Sequence, residues 1–308
     1  MKKSVKSSMV VLALGLGLSI GTSEEVEAMY ESPYSYFNDY GIREELFADV
    51  DNLYSDRYRA EMDQLMEKHE KGSISDDEFD RLSEKLAEID EKNFLERKTL
   101  FDSYGLLKKI DIKNITHFDT DFEEYSSLTG IEELTALEQV QGEGGNFNSF
   151  RELSELKNLK TVMLEANNQL TLNSFKKLKD LETIQLLFDG YEKNEEQDSQ
   201  EYTQALPTDI SALSNLNKLK NIQISARGRM ATVTLKKGTT SYQLFDPIVP
   251  SKQFDGAEMK YFSDNESSEW LEWNDLKGDE KYLGFSWRIE KGTNLSYTGE
   301  GQIPIRWK

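Results

Sequence analysis

A period of 22 residues runs through the middle of the chain and constrains its fold more than any other feature. Five columns of apolar residues keep this spacing: Leu134, Leu156 and Leu178; Leu137, Leu159 and Leu181; Val140, Val162 and Ile184; Leu128, Phe150 and Leu172; Ile131, Leu153 and Phe175. Each period is too short to bury its own apolar face, so successive units must stack and share one core. The period therefore predicts a short solenoid of 22-residue repeats.

Within each unit the pattern predicts one short strand and a return segment. In a strand over residues 159–164 successive side chains point to opposite faces, which sends Val162 and Leu164 inward and Thr161, Met163 and Glu165 outward. A helical bundle is the alternative, because leucines at three-residue steps also occur on helices. A helix of 3.6 residues per turn does not hold a strict 22-residue phase, which favours the solenoid.

The period extends beyond these three units in both directions. Ile112, Ile115 and Phe118 stand 22 residues before Leu134, Leu137 and Val140, and Leu216, Leu219 and Ile222 stand 38 residues after Leu178, Leu181 and Ile184. Because 38 exceeds 22 by 16, one repeat carries an insertion, which we place in the acidic stretch near residues 189–204. The predicted repeat region therefore spans residues 106–230.

The segments on both sides of the repeats have different patterns. Residues 29–105 predict a helical hairpin that breaks at Gly72 and caps the first repeat, with Ser75 and Glu78 forming a capping box for the second helix. Residues 231–308 predict a small antiparallel β-sandwich. Its predicted strands are residues 232–235, 242–245, 259–262, 270–273, 284–289 and 302–307.

Residues 1–28 have the pattern of a secretory signal peptide. Lys2, Lys3 and Lys6 precede a short apolar stretch, and Val26-Glu27-Ala28 offers a cleavage site. The apolar stretch is shorter than the roughly 20 residues that span a bilayer, so we expect no membrane insertion once the signal is removed. The chain has no cysteine, which is more typical of bacterial exported proteins than of animal ones. We therefore expect a secreted protein, soluble or associated with the cell surface.

The repeats and the C-terminal segment together resemble the bacterial internalin family, which joins 22-residue leucine-rich repeats to an immunoglobulin-like domain. The resemblance rests on Leu153, Leu156, Leu159, Val162, Leu164 and Asn167 in one repeat, on residues 210–219, and on residues 297–305 with Trp270 and Trp273. Asn167 stands alone at its ladder position, where the other repeats have Gly145, Asp189 and Arg227, and the long hairpin is not the usual cap of the family. The resemblance implies secretion or surface attachment in a Gram-positive bacterium, and protein binding through the concave face of the repeats.

Catalysis has little support in the sequence. No cysteine is present, His69 and His117 stand apart, and neither the HExxH nor the GxSxG pattern occurs. We therefore expect a protein that is not an enzyme and has no catalytic residue, cofactor or metal. A net charge of −20 argues against binding of nucleic acid.

Protein binding has the better physical basis, because a rigid sheet face offers an extended platform at low entropic cost. The outward positions of the predicted strands are the candidate contacts: Gln141, Thr161, Met163, Glu165, Thr183, Gln185, Leu187 and Gln223. Phe188 and Tyr191, at the start of the insertion, are candidate aromatic anchors. We expect a monomer whose partner is a protein, either a host protein bound by an adhesin or virulence factor, or a component of the bacterium's own envelope.

Overall fold

The computed structural model describes residues 30–31, 40–122, 127–145, 149–166, 171–190 and 202–308. The chain divides into two compact units, residues 1–118 and 119–308. The first consists mainly of helices and the second mainly of strands. The predicted signal peptide and Asn167 lie outside the described residues.

Two long helices make up most of the first unit, α1 (Tyr40–Glu70) and α2 (Asp76–Tyr104). The Ser75 hydroxyl accepts a hydrogen bond from the Glu78 amide at 3.3 Å, which satisfies one of the orphan donors of the first turn of α2. Helix α2 ends at Gly105, whose φ of 59° is left-handed and suits glycine. These caps set the two ends of α2. The break between α1 and α2 includes Gly72, as predicted.

The hairpin buries apolar side chains at only one end. Leu46 and Val50 of α1 pack in the core with Leu100 and Phe101 of α2, whereas the helix positions between residues 51 and 96 are exposed or half-buried. Beyond α2, strand β2 (Leu107–Lys108) pairs antiparallel with β1 (Tyr30–Glu31), and a short helix α3 (Lys109–Ile112) follows.

Charged and aromatic side chains interact at this buried end of the hairpin. The Tyr54 hydroxyl donates a hydrogen bond to Asp111 at 2.9 Å, and its ring lies 3.7 Å from the guanidinium carbon of Arg97. Arg97 also forms an ion pair with Asp51. Burial, and then the neighbouring Asp111, raise the pKa of Tyr54 to about 12, so its hydroxyl stays a donor at physiological pH.

The second unit is organised around one ten-stranded sheet. In chain order its first strands are β3 (His117–Asp121), β4 (Gln139–Gly145), β5 (Thr161–Ala166), β6 (Thr183–Asp189) and β7 (Asn221–Arg229). They lie side by side in that order, and β4 to β7 are parallel. Val162 pairs with Val140 and with Ile184, so the register between strands equals the period in the sequence.

The apolar columns form the core behind these strands. Leu137, Leu159 and Leu181 are each 0% exposed, and the other predicted columns are buried as well. Between the strands the chain returns through short 3-10 helices at Ile131–Glu133, Glu152–Glu155, Leu172–Lys177 and Ser211–Asn215. The rings of Phe150 and Phe175, in adjacent repeats, lie 5.1 Å from each other.

Five of the seven C-terminal strands continue this sheet. In chain order the seven are β8 (Val233–Leu235), β9 (Tyr242–Phe245), β10 (Met259–Phe262), β11 (Glu266–Ser267), β12 (Trp270–Trp273), β13 (Tyr282–Lys291) and β14 (Leu295–Trp307). The order across the sheet is β11-β10-β13-β14-β7-β6-β5-β4-β3, with β8 also paired to β14. Strand β14 pairs parallel with β7 from Leu295 to Gln302.

This continuity joins the repeats directly to the C-terminal strands. Among the described residues of the second unit, β9 and β12 form a separate two-stranded sheet, on which Trp273 is buried and donates a hydrogen bond to the Gly284 carbonyl at 2.8 Å. The strand pattern of the sequence could not predict the junction, because it gives alternation along each strand and not the neighbour of each strand.

The insertion begins and ends on the sheet. The Gly190 amide donates to the Arg227 carbonyl at 3.1 Å, and the Thr203 amide donates to the Gly190 carbonyl at 3.0 Å. Asp189 belongs to β6 and pairs with Arg227. The residues at both ends of the predicted insertion, near 189–204, are therefore hydrogen-bonded at the edge of the sheet. Residues 191–201 lie outside the described residues.

Deleting residues 191–201 and joining Gly190 to Tyr202 through two glycines should leave the free energy of unfolding within about 1 kcal/mol, because closure entropy changes slowly with loop length. Urea unfolding of the full chain measures this. Deleting residues 189–204 instead should cost more, since it also removes Asp189, Gly190 and their hydrogen bonds. Equal losses in the two deletions would contradict the assignment of the insertion ends to the sheet.

In the described part of the chain, no helix is long and apolar enough to cross a membrane.

Candidate functional site

The eight side chains predicted as contacts lie on one face of the sheet, which we call the exposed face. Gln185 is exposed and the other seven are half-buried. The residues between them in the strands, such as Val162, Leu164 and Ile184, are buried on the opposite face. This division follows from the two-residue period of a strand, which sends successive side chains to opposite sides.

The parallel register assembles these side chains into rows that cross the strands. Gln141, Met163, Gln185 and Gln223 pair in sequence across β4 to β7. A second row contains Glu165, Leu187 and Ser225, and a third contains Thr161 and Thr183 with Gln139 and Asn221 at its ends. Because neighbouring strands lie about 4.8 Å apart, each row is a nearly continuous line of side chains.

A groove of about 540 Å³ lies on the exposed face between β3 and β6. Five of the predicted residues line it, Gln141, Met163, Glu165, Gln185 and Leu187, whereas Thr161, Thr183 and Gln223 lie outside it. Its volume falls in the range of roughly 300–1,000 Å³ that is typical of ligand pockets. The groove is therefore a candidate ligand-binding feature on the predicted binding face, with Met163 and Leu187 as its accessible apolar side chains.

Carboxylates surround this groove. Asp119 and Asp121 of β3, Glu143 of β4 and Glu165 of β5 all line it. The set of predicted contacts omits the first three, although Asp119 and Asp121 stand 22 residues before Gln141 and Glu143 and could have been found from the period. Asp119 accepts a hydrogen bond from the Gln141 amide group at 3.3 Å, across one repeat. No Lys or Arg occurs among the described residues that line the groove.

A glycine in β4 allows close packing behind the acidic end of the face. Gly142 occupies an inward position that Leu164 fills in the next strand. A Cβ atom at residue 142 would lie 2.2 Å from the Phe122 ring and 2.3 Å from the Thr120 carbonyl oxygen. Phe122, which is 0% exposed, thus fills the space that a larger residue at 142 would need. Glycine lets the segment after β3 pack closely behind the groove.

The exposed face continues without a break onto the C-terminal strands. Ser296, Thr298 and Glu300 of β14 pair with Gln223, Ser225 and Arg227 of β7. Beyond β14 the row of Thr298 continues through Arg288 of β13 to Lys260 of β10. A second depression, of about 310 Å³, lies here, with Arg227, Arg288, Glu300 and Phe262 among its lining residues. The sequence could not locate these residues on the face, because the β7–β14 pairing joins positions far apart in the chain.

Tyr202 is an aromatic residue of this face that the sequence patterns did not identify. Its hydroxyl donates a hydrogen bond to Glu300 at 3.0 Å, and its amide donates to the Gln302 side chain at 3.2 Å. Burial, and then the bond to Glu300, raise the pKa of Tyr202 to about 12. Tyr202 had been assigned to the insertion, outside the repeat columns.

Phe188 and Tyr191 were proposed as aromatic anchors, and the prediction for Phe188 is wrong. It is 2% exposed, since it falls on the inward side of β6 opposite Ala166 and Ala226. Tyr191 lies outside the described residues.

Within the described ranges no group of three or more His, Asp or Glu residues could hold a metal ion. His69 lies at the end of α1, 2.7 Å from Asp76 and stacked on Phe79 at 4.7 Å between ring centroids. His117 is exposed and its ring lies 2.9 Å from the Thr116 hydroxyl. Each histidine thus has a local partner.

No protein-family model and no curated protein sequence matches this chain. Among solved structures, an internalin from Listeria monocytogenes is 23% identical over 39% of this chain and 37% of its own, with a TM-score of 0.30. The functional domain of InlJ from the same organism, which includes a cysteine ladder, is 13% identical over 65% of this chain and 50% of its own, with a TM-score of 0.34.

Further solved structures include a carbohydrate-binding module with INT domains from Clostridium perfringens ZmpB. It is 11% identical over 85% of this chain and 50% of its own, with a TM-score of 0.23. This chain thus spans half or less of the three matched structures described here. With TM-scores of 0.34 or less, these similarities do not assign the chain to a family.

Proposed function

We propose that this protein is a secreted or surface-associated protein-binding protein whose partner lies on the exposed face of the sheet. In this proposal residues 106–230 form a leucine-rich-repeat solenoid, and the exposed face is its concave face. Residues 231–308 are an immunoglobulin-like domain, and residues 29–105 are an N-terminal cap. The observation that carries the proposal is the set of accessible side chains held in register across β4 to β7 and on into β14.

Two properties of this face suit protein binding. Strand pairing fixes the backbone from which its side chains project. A partner therefore meets an ordered surface, and less conformational entropy is lost on association. Met163 and Leu187 give it apolar contacts among amides and hydroxyls, a mixture that resembles interface composition. Tyr202, held by Glu300, adds an aromatic side chain of the kind that is enriched at binding hot spots.

The proposed footprint extends past the repeats. Thr298 and Arg288 lie in the same row as Leu187 and Ser225, so a partner that crosses β7 meets the C-terminal strands without a step between sheets. The C-terminal segment therefore contributes binding surface, besides covering the apolar end of the last repeat.

The exposed face can be tested with a charge-neutral pair of substitutions, Met163→Lys with Gln185→Glu. Because both side chains are accessible, the pair should change the free energy of unfolding by no more than about 0.5 kcal/mol, yet it should weaken capture of a partner at least about tenfold. The measurement is quantitative mass spectrometry of proteins captured by the immobilised wild type and variant. Host extracellular material and bacterial envelope extract, used separately, distinguish an adhesin from an envelope component.

Ile89→Glu on the helical hairpin is the control, since Ile89 is 47% exposed and lies away from the sheet in sequence and in unit. Capture that is unchanged by the face pair but lost with Ile89→Glu would place the binding surface on the hairpin and contradict the proposal.

A further inference from the structure

The exposed face has an uneven distribution of charge. From β3 to β5 its charged side chains are all acidic: Asp119, Asp121, Glu143 and Glu165. From β7 to β10 both signs occur: Arg227 pairs with Glu300, and the strands β13 and β10 carry Glu290 as well as Arg288 and Lys260. The negative charge of the face is therefore concentrated around the groove, where a low-dielectric wall of strands strengthens the field.

The undescribed segments among the repeats add no net positive charge to the sequence. Segments 123–126, 146–148 and 167–170 contain no Lys or Arg. The insertion that begins after Asp189 carries five acids and one base in residues 191–201: Glu192, Glu195, Glu196, Asp198 and Glu201 against Lys193. Both of its ends are hydrogen-bonded to the sheet next to the face.

The groove also has the shape and chemistry for a polypeptide. Three strand spacings of about 4.8 Å separate β3 from β6, so an extended segment that crosses them spans about four residues. Met163 and Leu187 can contact the aliphatic stems of Lys or Arg, while the carboxylates meet the charged ends. The amides of Gln141 and Gln185 can exchange hydrogen bonds with the backbone of such a segment.

We infer that the groove between β3 and β6 receives a Lys- or Arg-rich extended segment of the partner protein. The inference rests on the proposed function and specifies the chemistry of the partner. A compact metal site does not compete with it, because the described carboxylates do not form a group that could hold a metal ion.

The probe is a fluorescein-labelled peptide of about eight residues in which Lys alternates with Leu, compared with a peptide in which Glu replaces Lys. Fluorescence anisotropy with the full chain should show binding of the Lys peptide and none of the Glu peptide. Raising NaCl from roughly 50 mM to roughly 500 mM should weaken binding at least about tenfold, because the screening length shortens several-fold. Equal binding of the two peptides, or no binding of the Lys peptide, would overturn the inference.

A matched pair of double variants locates the binding. Glu143→Gln with Glu165→Gln should weaken the Lys peptide about tenfold, since each exposed ion pair contributes up to a factor of about five. Glu133→Gln with Glu155→Gln changes the net charge equally, is also spaced by 22 residues, and lies in the 3-10 segments away from the face. This second pair should leave binding within about twofold. Equal weakening by both pairs would show a general charge effect and contradict a specific groove.

The same variants separate this inference from the proposed function. If Met163→Lys with Gln185→Glu abolishes partner capture while Glu143→Gln with Glu165→Gln leaves it unchanged, the face binds the partner without a basic segment, and only the inference fails. If neither pair alters capture, the proposed function itself fails.

Discussion

Replacing Leu159 by Ala should lower the free energy of unfolding by about 2–5 kcal/mol, the range for truncation of a fully buried leucine. Leu159 is 0% exposed, and so are Leu137 and Leu181, which stand one repeat before and after it. Its amide donates to the Leu156 carbonyl at 3.1 Å, which fixes the turn into β5. A cavity here removes contacts in the stacked core, and the parallel strands hold the neighbouring repeats too rigidly to fill it completely.

Urea unfolding followed by circular dichroism measures the loss, and each kcal/mol should also lower Tm by about 2–4 °C in a unit of this size. Leu95→Ala is the matched control, because Leu95 is 55% exposed and the substitution should change stability by less than about 0.5 kcal/mol. A loss below about 0.5 kcal/mol for Leu159→Ala would mean that the apolar columns do not form the core.

Replacing Gly299 by Ala should cost about 1–3 kcal/mol, because it overpacks the junction between the repeats and the C-terminal strands. A Cβ atom there would lie 2.2 Å from the Ala226 carbonyl oxygen and 2.2 Å from Cη2 of Trp287. Ala226 is the partner of Gly299 on β7, and Trp287 is its partner on β13. Neither neighbour can move easily, because one is backbone in a paired strand and the other is a ring that is 2% exposed.

The control is Gly284→Ala on β13, where a Cβ atom would meet nothing within 4 Å. That substitution should be neutral or stabilise by up to about 1 kcal/mol, since alanine reduces the entropy of the unfolded chain. Near-ultraviolet circular dichroism should report the displaced Trp287 ring in the Gly299 variant alone. If both variants had wild-type stability, the close pairing of β14 with β7 would be refuted.

The pairing of β14 with β7 also extends the candidate site onto the C-terminal strands. The contacts predicted from the sequence all lie in the repeats, and none lies in the C-terminal segment. In the structure Thr298, Arg288 and Lys260 extend the exposed face, and the Tyr202 hydroxyl donates a hydrogen bond to Glu300. A search for contact residues that stopped at Gln223 would miss these side chains.

The sequence could predict features whose causes are local or strictly periodic. The capping box at Ser75 predicts the start of α2, and alternation predicts strands β9, β10 and β12 with their observed limits. The 22-residue period predicts which side of each strand is accessible, because equal spacing places equivalent residues in register when the strands stack. The face with Met163 and Gln185 therefore follows from residue positions alone.

Only the tertiary structure decided which strands become neighbours and what fills the space between them. The β7–β14 pairing joins residues separated by more than seventy positions, and no local pattern encodes it. Phe188 looks like a surface anchor in the sequence and is buried, because β6 continues past Leu187 to Asp189. Gly142 and Gly299 interrupt the expected patterns since an aromatic ring occupies their missing side-chain volume, a condition set by residues distant in the chain. Periodicity thus determined the direction of each side chain, and packing determined its neighbours.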